Sequence, residues 1–351
     1  MNQRVLSNDV IRRRLLMAAA GVASLAMLPA CGGGGGGDPA PSPAPPPTGG
    51  TPPPPAPAPG PAPAPAPAPP PSAAWSATGA LVYRNSSQVG IYDFAAGRER
   101  TLDPGTRLLT DAGIGAQRGG NRFTVQQRTA NGWDIVLYDK GGLERDRFAL
   151  TRAGAVSSSA ATISPDGTRL AFSLSEPRSA SDKTYIERTL IVRVSDGAIL
   201  ATIDGFAKPA WLGTAGAFVA HHEESLVLHR FDAQGANQGA IGSFIVEDTR
   251  ASFDASPDGR SIAYMVDGVV RLHDIQTGAD RLLVQSNNRL HLDAPTFSPD
   301  GRGLAVLDVA TVTLTPYVLA IPATGSVTLS ASNRMSQDTI AEVYGRMGWL
   351  G

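Results

Sequence analysis

Short runs of apolar residues, each ending at turn residues, fill the chain from about residue 74 to its end. The runs are rich in β-branched and aromatic side chains, and they stop at Gly, Pro or Asp. Strands that are joined by tight turns have this pattern. It predicts an all-β domain over residues 73–351.

One turn motif recurs in this region. The tetrapeptide Ser-Pro-Asp-Gly is followed two residues later by an apolar strand at Ser164–Gly167, Ser256–Gly259 and Ser298–Gly301. Pro fixes φ, Asp hydrogen-bonds to the local backbone, and Gly adopts the left-handed conformation. We therefore predict structural turns built on Asp166 and Gly167, on Asp258 and Gly259, and on Asp300 and Gly301.

The spacing of the repeats indicates the architecture. The segment Pro209–Phe218 has the same shape as the motif without its Asp, and it fills the long gap between the first two copies. A second marker, a strand that ends shortly before a Gly, occurs six times: at 91–93, 137–139, 192–194, 230–232, 272–274 and 319–321. A period of about 40 to 50 residues is typical of four-stranded propeller blades.

The two ends of the domain complement each other. The domain opens with what looks like the second strand of a blade, Ala80–Tyr83, and it closes with Val343–Leu350, which resembles an inner strand. Pairing them would complete one blade and remove the open edges of the ring. The prediction is a six-bladed β-propeller closed by a C-terminal inner strand. The alternative is seven blades, with Trp75 in an inner strand of its own.

The first 72 residues have a different character. A basic start, an apolar run from Leu15 to Leu28 and small residues before Cys31 indicate a signal peptide over residues 1–30. Leu28–Cys31 resembles the bacterial lipobox, which implies cleavage between Ala30 and Cys31 and lipidation of Cys31. The next residue, Gly32, implies that the lipidated protein is located at the outer membrane. Residues 31–72, rich in Gly, Pro and Ala, are expected to form a disordered linker.

The repeat Ser-Pro-Asp-Gly-x-x-Leu-Ala-Phe resembles that of the TolB-type propellers, which are related in shape to WD-repeat proteins. The resemblance covers residues 75–351, and blades 1, 2 and 4 depart from the motif. The lipobox resemblance described above implies that the protein faces the periplasm, or the cell surface. TolB has a separate N-terminal α/β domain, whereas this chain has only a linker there. The stretch Arg12–Leu16 resembles a twin-arginine signal, so export by either the Sec or the twin-arginine pathway stays open.

Composition and motifs argue against several classes of function. A net charge of −1 argues against a nucleic-acid-binding protein, and the single Cys excludes a disulfide framework. The chain contains neither a G-x-S-x-G elbow nor an H-E-x-x-H zinc helix. We expect no catalytic residue and no cofactor, and the four Trp are expected to pack between blades.

The densest polar cluster is His221–Glu224, with His229 nearby. It could ligate a divalent metal, or it could be a solvated hairpin tip. Propeller geometry places it on the same face as the residues that precede two inner strands. The candidate binding rim comprises His221, His222, Glu223, Glu247, Asp248, His291 and Asp293.

The expected function is that of a lipid-anchored envelope protein, attached to the outer membrane, that presents a rigid, non-catalytic surface to a protein or glycan partner. The alternative is a metal-dependent hydrolase or lyase that uses the central opening of the propeller.

Overall fold

A computed structural model describes residues 75–85, 88–103, 109–129, 132–150, 155–157, 159–178, 184–245, 252–286, 292–308, 315–335 and 343–351. The signal peptide, Cys31 and the linker predicted from the sequence lie outside these residues. Glu247, Asp248 and His291 lie outside them too. The described residues belong to one compact unit. Within the described ranges, no helix has the length and apolar character needed to cross a membrane.

The described residues form strands and one short 3-10 helix. In chain order the strands are β1 (Ala80–Asn85), β2 (Gln88–Asp93), β3 (Arg98–Leu102), β4 (Leu109–Ala116), β5 (Arg122–Thr129), β6 (Gly132–Asp139), β7 (Glu144–Leu150), β8 (Val156–Ser157), β9 (Thr162–Ile163), β10 (Arg169–Pro177), β11 (Tyr185–Arg193) and β12 (Ile199–Asp204). The chain continues with β13 (Phe206–Leu212), β14 (Ala217–His222), β15 (Val227–Phe231), β16 (Asn237–Ile245), β17 (Phe253–Ala255), β18 (Ser261–Val266), β19 (Val269–Asp274), β20 (Asp280–Gln285), β21 (Leu292–Phe297), β22 (Gly303–Asp308), β23 (Thr315–Ala320), β24 (Val327–Thr328), the 3-10 helix (Ala331–Asn333) and β25 (Val343–Leu350).

These strands form the six blades of a propeller, as the repeat spacing predicts. Blade 1 has the order β25-β1-β2-β3, and blades 2 and 4 are β4-β5-β6-β7 and β13-β14-β15-β16. In blade 3, β8 and β9 both pair with β10, followed by β11 and β12. Blade 5 is β17-β18-β19-β20, with β24 added in parallel to β20. Blade 6 is β21-β22-β23, and Arg334 forms an isolated bridge to Tyr317.

The last strand closes the ring. β25 is the innermost strand of blade 1 and pairs antiparallel with β1, so that Ala80 faces Leu350 and Asn85 faces Val343. This confirms the predicted closure. Trp75 lies outside every strand, and its indole Nε1 donates a hydrogen bond to Asp300 Oδ2 at 3.0 Å. The seven-bladed alternative is therefore wrong, because Trp75 anchors the start of the domain to blade 6 instead of starting a blade.

Among the described residues, the core consists of six apolar clusters, and each lies between two neighbouring blades. Because both faces of a blade are covered, its middle strands are largely buried, as in β22, where all six residues are buried, including Asp308. Trp133 packs between blades 2 and 3, Trp211 between blades 3 and 4, and Trp349 between blades 6 and 1. The indoles thus pack between blades, as expected.

All three Ser-Pro-Asp-Gly copies form the same turn. In the first, Asp166 Oδ1 accepts hydrogen bonds from the Ser164 hydroxyl at 2.5 Å and from the Thr168 amide at 3.0 Å. The Ser164 hydroxyl oxygen in turn accepts the Arg169 amide at 2.9 Å. Gly167 has a φ of 74°, which favours glycine. The turns at Asp258 with Gly259 and at Asp300 with Gly301 repeat these contacts.

Candidate functional site

All six inner strands meet around a narrow central channel. The residues that line it come from every blade, and they include Ile114, Thr162, Ala210, Phe253, Thr296 and Met347. The cavity has a volume of about 50 Å³. That volume accommodates a few water molecules and is far smaller than a pocket for a small-molecule substrate, which measures roughly 300–1,000 Å³.

An ion pair crosses this channel. The Arg118 guanidinium, from the β4–β5 turn of blade 2, binds the Asp254 carboxylate of blade 5, and the two side chains are only 16% and 15% exposed. Blades 2 and 5 are three positions apart in the ring and therefore face each other. Arg118 also donates to the Trp211 carbonyl of blade 4 at 3.2 Å. Asp254 Oδ2 accepts the Phe297 amide of blade 6 at 2.8 Å. One ion pair thus connects four blades.

Local sequence explains how both groups reach the channel. Blade 2 has Gln117–Asn121 where other blades have Ser-Pro-Asp-Gly, and this turn directs Arg118 across the opening. Asp254 stands two residues before its turn serine, where the other two copies have Thr162 and Thr296. Sequence reasoning missed both residues. The signal that could have found them is a charged side chain at a position that is uncharged in the other copies.

The His221–Glu224 cluster lies at the opposite end of the blade from these turns. His221 and His222 are the last two residues of β14, and successive strand residues point to opposite faces. His221 is buried, with 1% exposure, so the hairpin-tip interpretation is wrong for this residue. His222 is half-buried and contacts the ring of Phe206 edge-to-face at 4.9 Å between centroids.

The imidazole rings of His222 and His229 lie side by side, with their centroids 5.8 Å apart. His222 Nδ1 accepts the Ser225 amide at 3.1 Å, so in the neutral ring the proton is on Nε2. His229 Nδ1 lies 3.2 Å from Asn237 Oδ1, which also accepts the Gly239 amide. The described residues contain no group of three or more His, Cys, Asp or Glu side chains that could hold a metal.

Glu223 connects blade 4 to blade 3. Its carboxylate accepts the Glu187 amide at 2.9 Å and pairs with Arg178 at 3.3 Å. In blade 3, the neighbouring strands β10 and β11 extend for nine residues each. Within these strands Arg188 binds Glu176. Charges that look available in the sequence are therefore engaged in contacts between strands and between blades.

Asp293 is the remaining rim candidate within the described residues. It is half-buried at the start of β21, on the same face as His222, and its Oδ1 accepts the Ala294 amide at 2.6 Å. The structure therefore places His222, Glu223 and Asp293 on the face of the blade connections. Glu247, Asp248 and His291 stay predictions from the sequence.

Comparisons with known proteins identify the fold. No family model and no curated protein matches the chain. Among solved structures, TolB from Acinetobacter baumannii aligns over 78% of this chain and 66% of its own, with a TM-score of 0.54 and 16% identity. The propeller is similar to TolB in fold. The chain spans just under two thirds of that TolB.

Two further structures align with lower scores. A protein of unknown function from Bacteroides caccae covers 78% of this chain and 98% of its own, at 10% identity and a TM-score of 0.48. The β-propeller domain of Cps50 (Swd1) from Myceliophteria thermophila covers 73% and 91%, at 15% identity and a TM-score of 0.45.

Proposed function

We propose that this protein is a lipid-anchored envelope protein whose propeller binds a protein or glycan partner without catalysis. The observation that carries the proposal is the ion pair between Arg118 and Asp254. It links four blades and leaves a channel of about 50 Å³, so the ring is a rigid support and recognition takes place on its outer surfaces.

The proposed anchor is Cys31, preceded by Ala30 at the cleavage point. Replacing Cys31 with Ser removes the thiol that would carry the lipid, so the protein should move from the membrane fraction to the soluble periplasmic fraction. A matched variant, Gly32→Asp, keeps the thiol and should shift the protein from the outer to the inner membrane. If Cys31→Ser remains in the membrane fraction, the anchor is wrong.

The proposed binding surface is the face of the blade connections, which carries His222 and Asp293. A photoreactive amino acid placed at either position in intact cells should crosslink the same partner. Thr277, exposed in a turn on the opposite face, is the matched control. Equal capture of that partner from Thr277 would contradict the assignment of this face, and capture of no partner from any position would contradict a binding function.

A further inference from the structure

The outer strands of the blades differ in how their free edges are protected. An outer strand pairs on one side only, so alternate N–H and C=O groups are open to a strand from another chain. Charged side chains cover two of these edges: β3 has the sequence RERTL, and β7 has ERDRFAL. Charges on an edge strand discourage pairing, because they would have to lose water.

Three other edges are blocked by the fold. In blade 5, β24 occupies the edge of β20. In blade 6, Arg334 forms a bridge to Tyr317 of β23. In blade 4, β16 has two register shifts against β15 and positive φ angles at Gly239 and Gly242, so its edge is irregular.

In the described part of the chain, no added strand or bridge covers the edge of β12, which carries one charged residue and one register shift. Ile199 and Leu200 are 43% and 39% exposed, which is high for large apolar side chains. The one charged residue of the strand, Asp204, is held by Arg188 at 2.8 Å. The only register shift against β11 lies near the start of β12, and four regular pairs follow from Ala201 to Asp204.

A groove with cationic side chains lies at the start of β12. Its volume is about 410 Å³, and it runs between blade 3 and the β15–β16 turn of blade 4; its lining residues are Thr168, Arg169, Arg193, Leu200, Ala233 and Gln234. Arg169 gives one donor to the Ala233 carbonyl, and a guanidinium has five. Arg193 pairs with Asp196, but both side chains are 48% exposed, so this pair is weak and the guanidinium can donate to a second carboxylate.

We propose that the edge of β12 is a docking site for an extended segment of a partner protein, which adds as a strand to blade 3. The backbone of the segment pairs with the open side of β12, an apolar side chain covers Ile199 and Leu200, and a carboxylate at the adjacent end binds Arg169 and Arg193. Backbone pairing supplies affinity in this mode, and the flanking pocket supplies specificity. The cationic lining of the groove selects an acidic segment.

This site lies on the rim of blade 3, away from the connection face proposed above. The two proposals can therefore fail independently. The crosslinking experiment tests the connection face, and a binding assay with a defined peptide tests the β12 edge.

The probe is a fluorescent peptide of about six alternating Val and Thr residues, the length of a typical strand, that ends in two Asp and a free carboxylate. Its counterpart ends in two Lys and an amide. Fluorescence anisotropy with the full-length protein in detergent should show binding of the acidic peptide at least ~10-fold tighter than that of the basic one, since about 1.4 kcal/mol corresponds to that ratio. Arg193→Gln should abolish most of this preference.

Leu200→Glu should weaken binding of the acidic peptide by about 10-fold or more, because it places a like charge at the edge. Thr101→Glu on the outer strand β3 and Arg260→Gln in a turn of blade 5 are matched controls, and neither should change the Kd. Circular dichroism verifies that each variant is folded.

Three results would overturn the proposal. The first is no binding of the acidic peptide at about 1 mM, and the second is equal affinity for the two peptides. The third is a concentration-dependent dimer that Leu200→Glu dissociates, since this would assign the edge to a second copy of the chain.

Discussion

The ion pair across the channel predicts a specific energetic coupling between opposite blades. Asp254→Ala would leave the Arg118 guanidinium in a narrow channel without its counter-charge. It would also remove the acceptor of the Phe297 amide and of the Ala255 amide, which lie 2.8 and 2.9 Å from the Asp254 oxygens. The change therefore affects blades 2, 5 and 6 together.

The expected loss of unfolding free energy follows from the exposed fractions of the two side chains. Removing one partner of a fully buried pair costs about 3–5 kcal/mol, whereas an exposed pair contributes about 0.2–1 kcal/mol. Arg118 and Asp254 are about one-sixth exposed, at 16% and 15%, so they lie nearer the buried limit. We expect Asp254→Ala to lower the free energy of unfolding by about 3 kcal/mol. This corresponds to a Tm lower by roughly 6–12 °C for a domain of this size.

A double-mutant cycle with Arg118→Ala and Asp254→Ala, measured by urea unfolding with Trp fluorescence, isolates the interaction. The expected coupling energy is at least about 1.5 kcal/mol. Arg193→Ala is the matched control, because its pair with Asp196 is 48% exposed, and it should cost no more than about 0.5 kcal/mol. A coupling energy below about 0.5 kcal/mol would refute the view that this pair holds the ring together.

Three further predictions concern the turns, the closure and the metal hypothesis. Burial disfavours the charged forms of Asp166 and Asp300, but hydrogen bonds from Ser and backbone donors outweigh it, so each pKa lies below the usual 3.8. These carboxylates therefore stabilise the fold above about pH 4, and this contribution is lost as the pH falls below that value. Asp166→Asn with Asp300→Asn should reduce the pH dependence of the unfolding free energy between about pH 4 and 2, and an unchanged slope would contradict this. Gly348→Ala should lower the free energy of unfolding by about 1–3 kcal/mol, because the new Cβ would lie 2.4 Å from the Cβ of Ala116. An unchanged Tm in thermal unfolding would contradict close packing of β25. His222→Gln should leave the divalent metal content of the purified protein unchanged by elemental analysis, because Nδ1 already accepts a backbone amide; loss of stoichiometric metal would instead favour the enzyme alternative.

Much of the fold could be predicted because the propeller is specified by local chemistry. The turn at Ser164–Gly167 is built from contacts within six residues, as is each of its copies. Any sequence that contains these residues in this order can form the turn, and the interval between copies measures the blade. The closure by β25 was also predictable. The propeller domain begins with the second strand of a blade, so the first strand of that blade has to come from a later part of the domain.

The candidate site was harder to predict from the sequence than the fold. The His221–Glu224 cluster was a candidate site because its polar residues are adjacent in sequence. In the structure, however, His221 is buried and Glu223 connects two blades. Arg118 and Asp254 were not predicted as a pair, because 136 residues separate them in the sequence. Adjacent strand residues point apart, so proximity in the chain is a poor guide to a site in a β-protein.

The sequence by itself determined the class of fold, the number of blades and the order in which the ring closes, since these depend on periodic apolar runs and on turns made by neighbouring residues. It also supports the predicted export signal and the lipobox-like Cys31. Only the tertiary structure decided which charges meet across the channel and which outer strand keeps an open edge. The physical reason is that these properties arise from contacts between different blades, and their strength depends on burial, which local sequence does not specify.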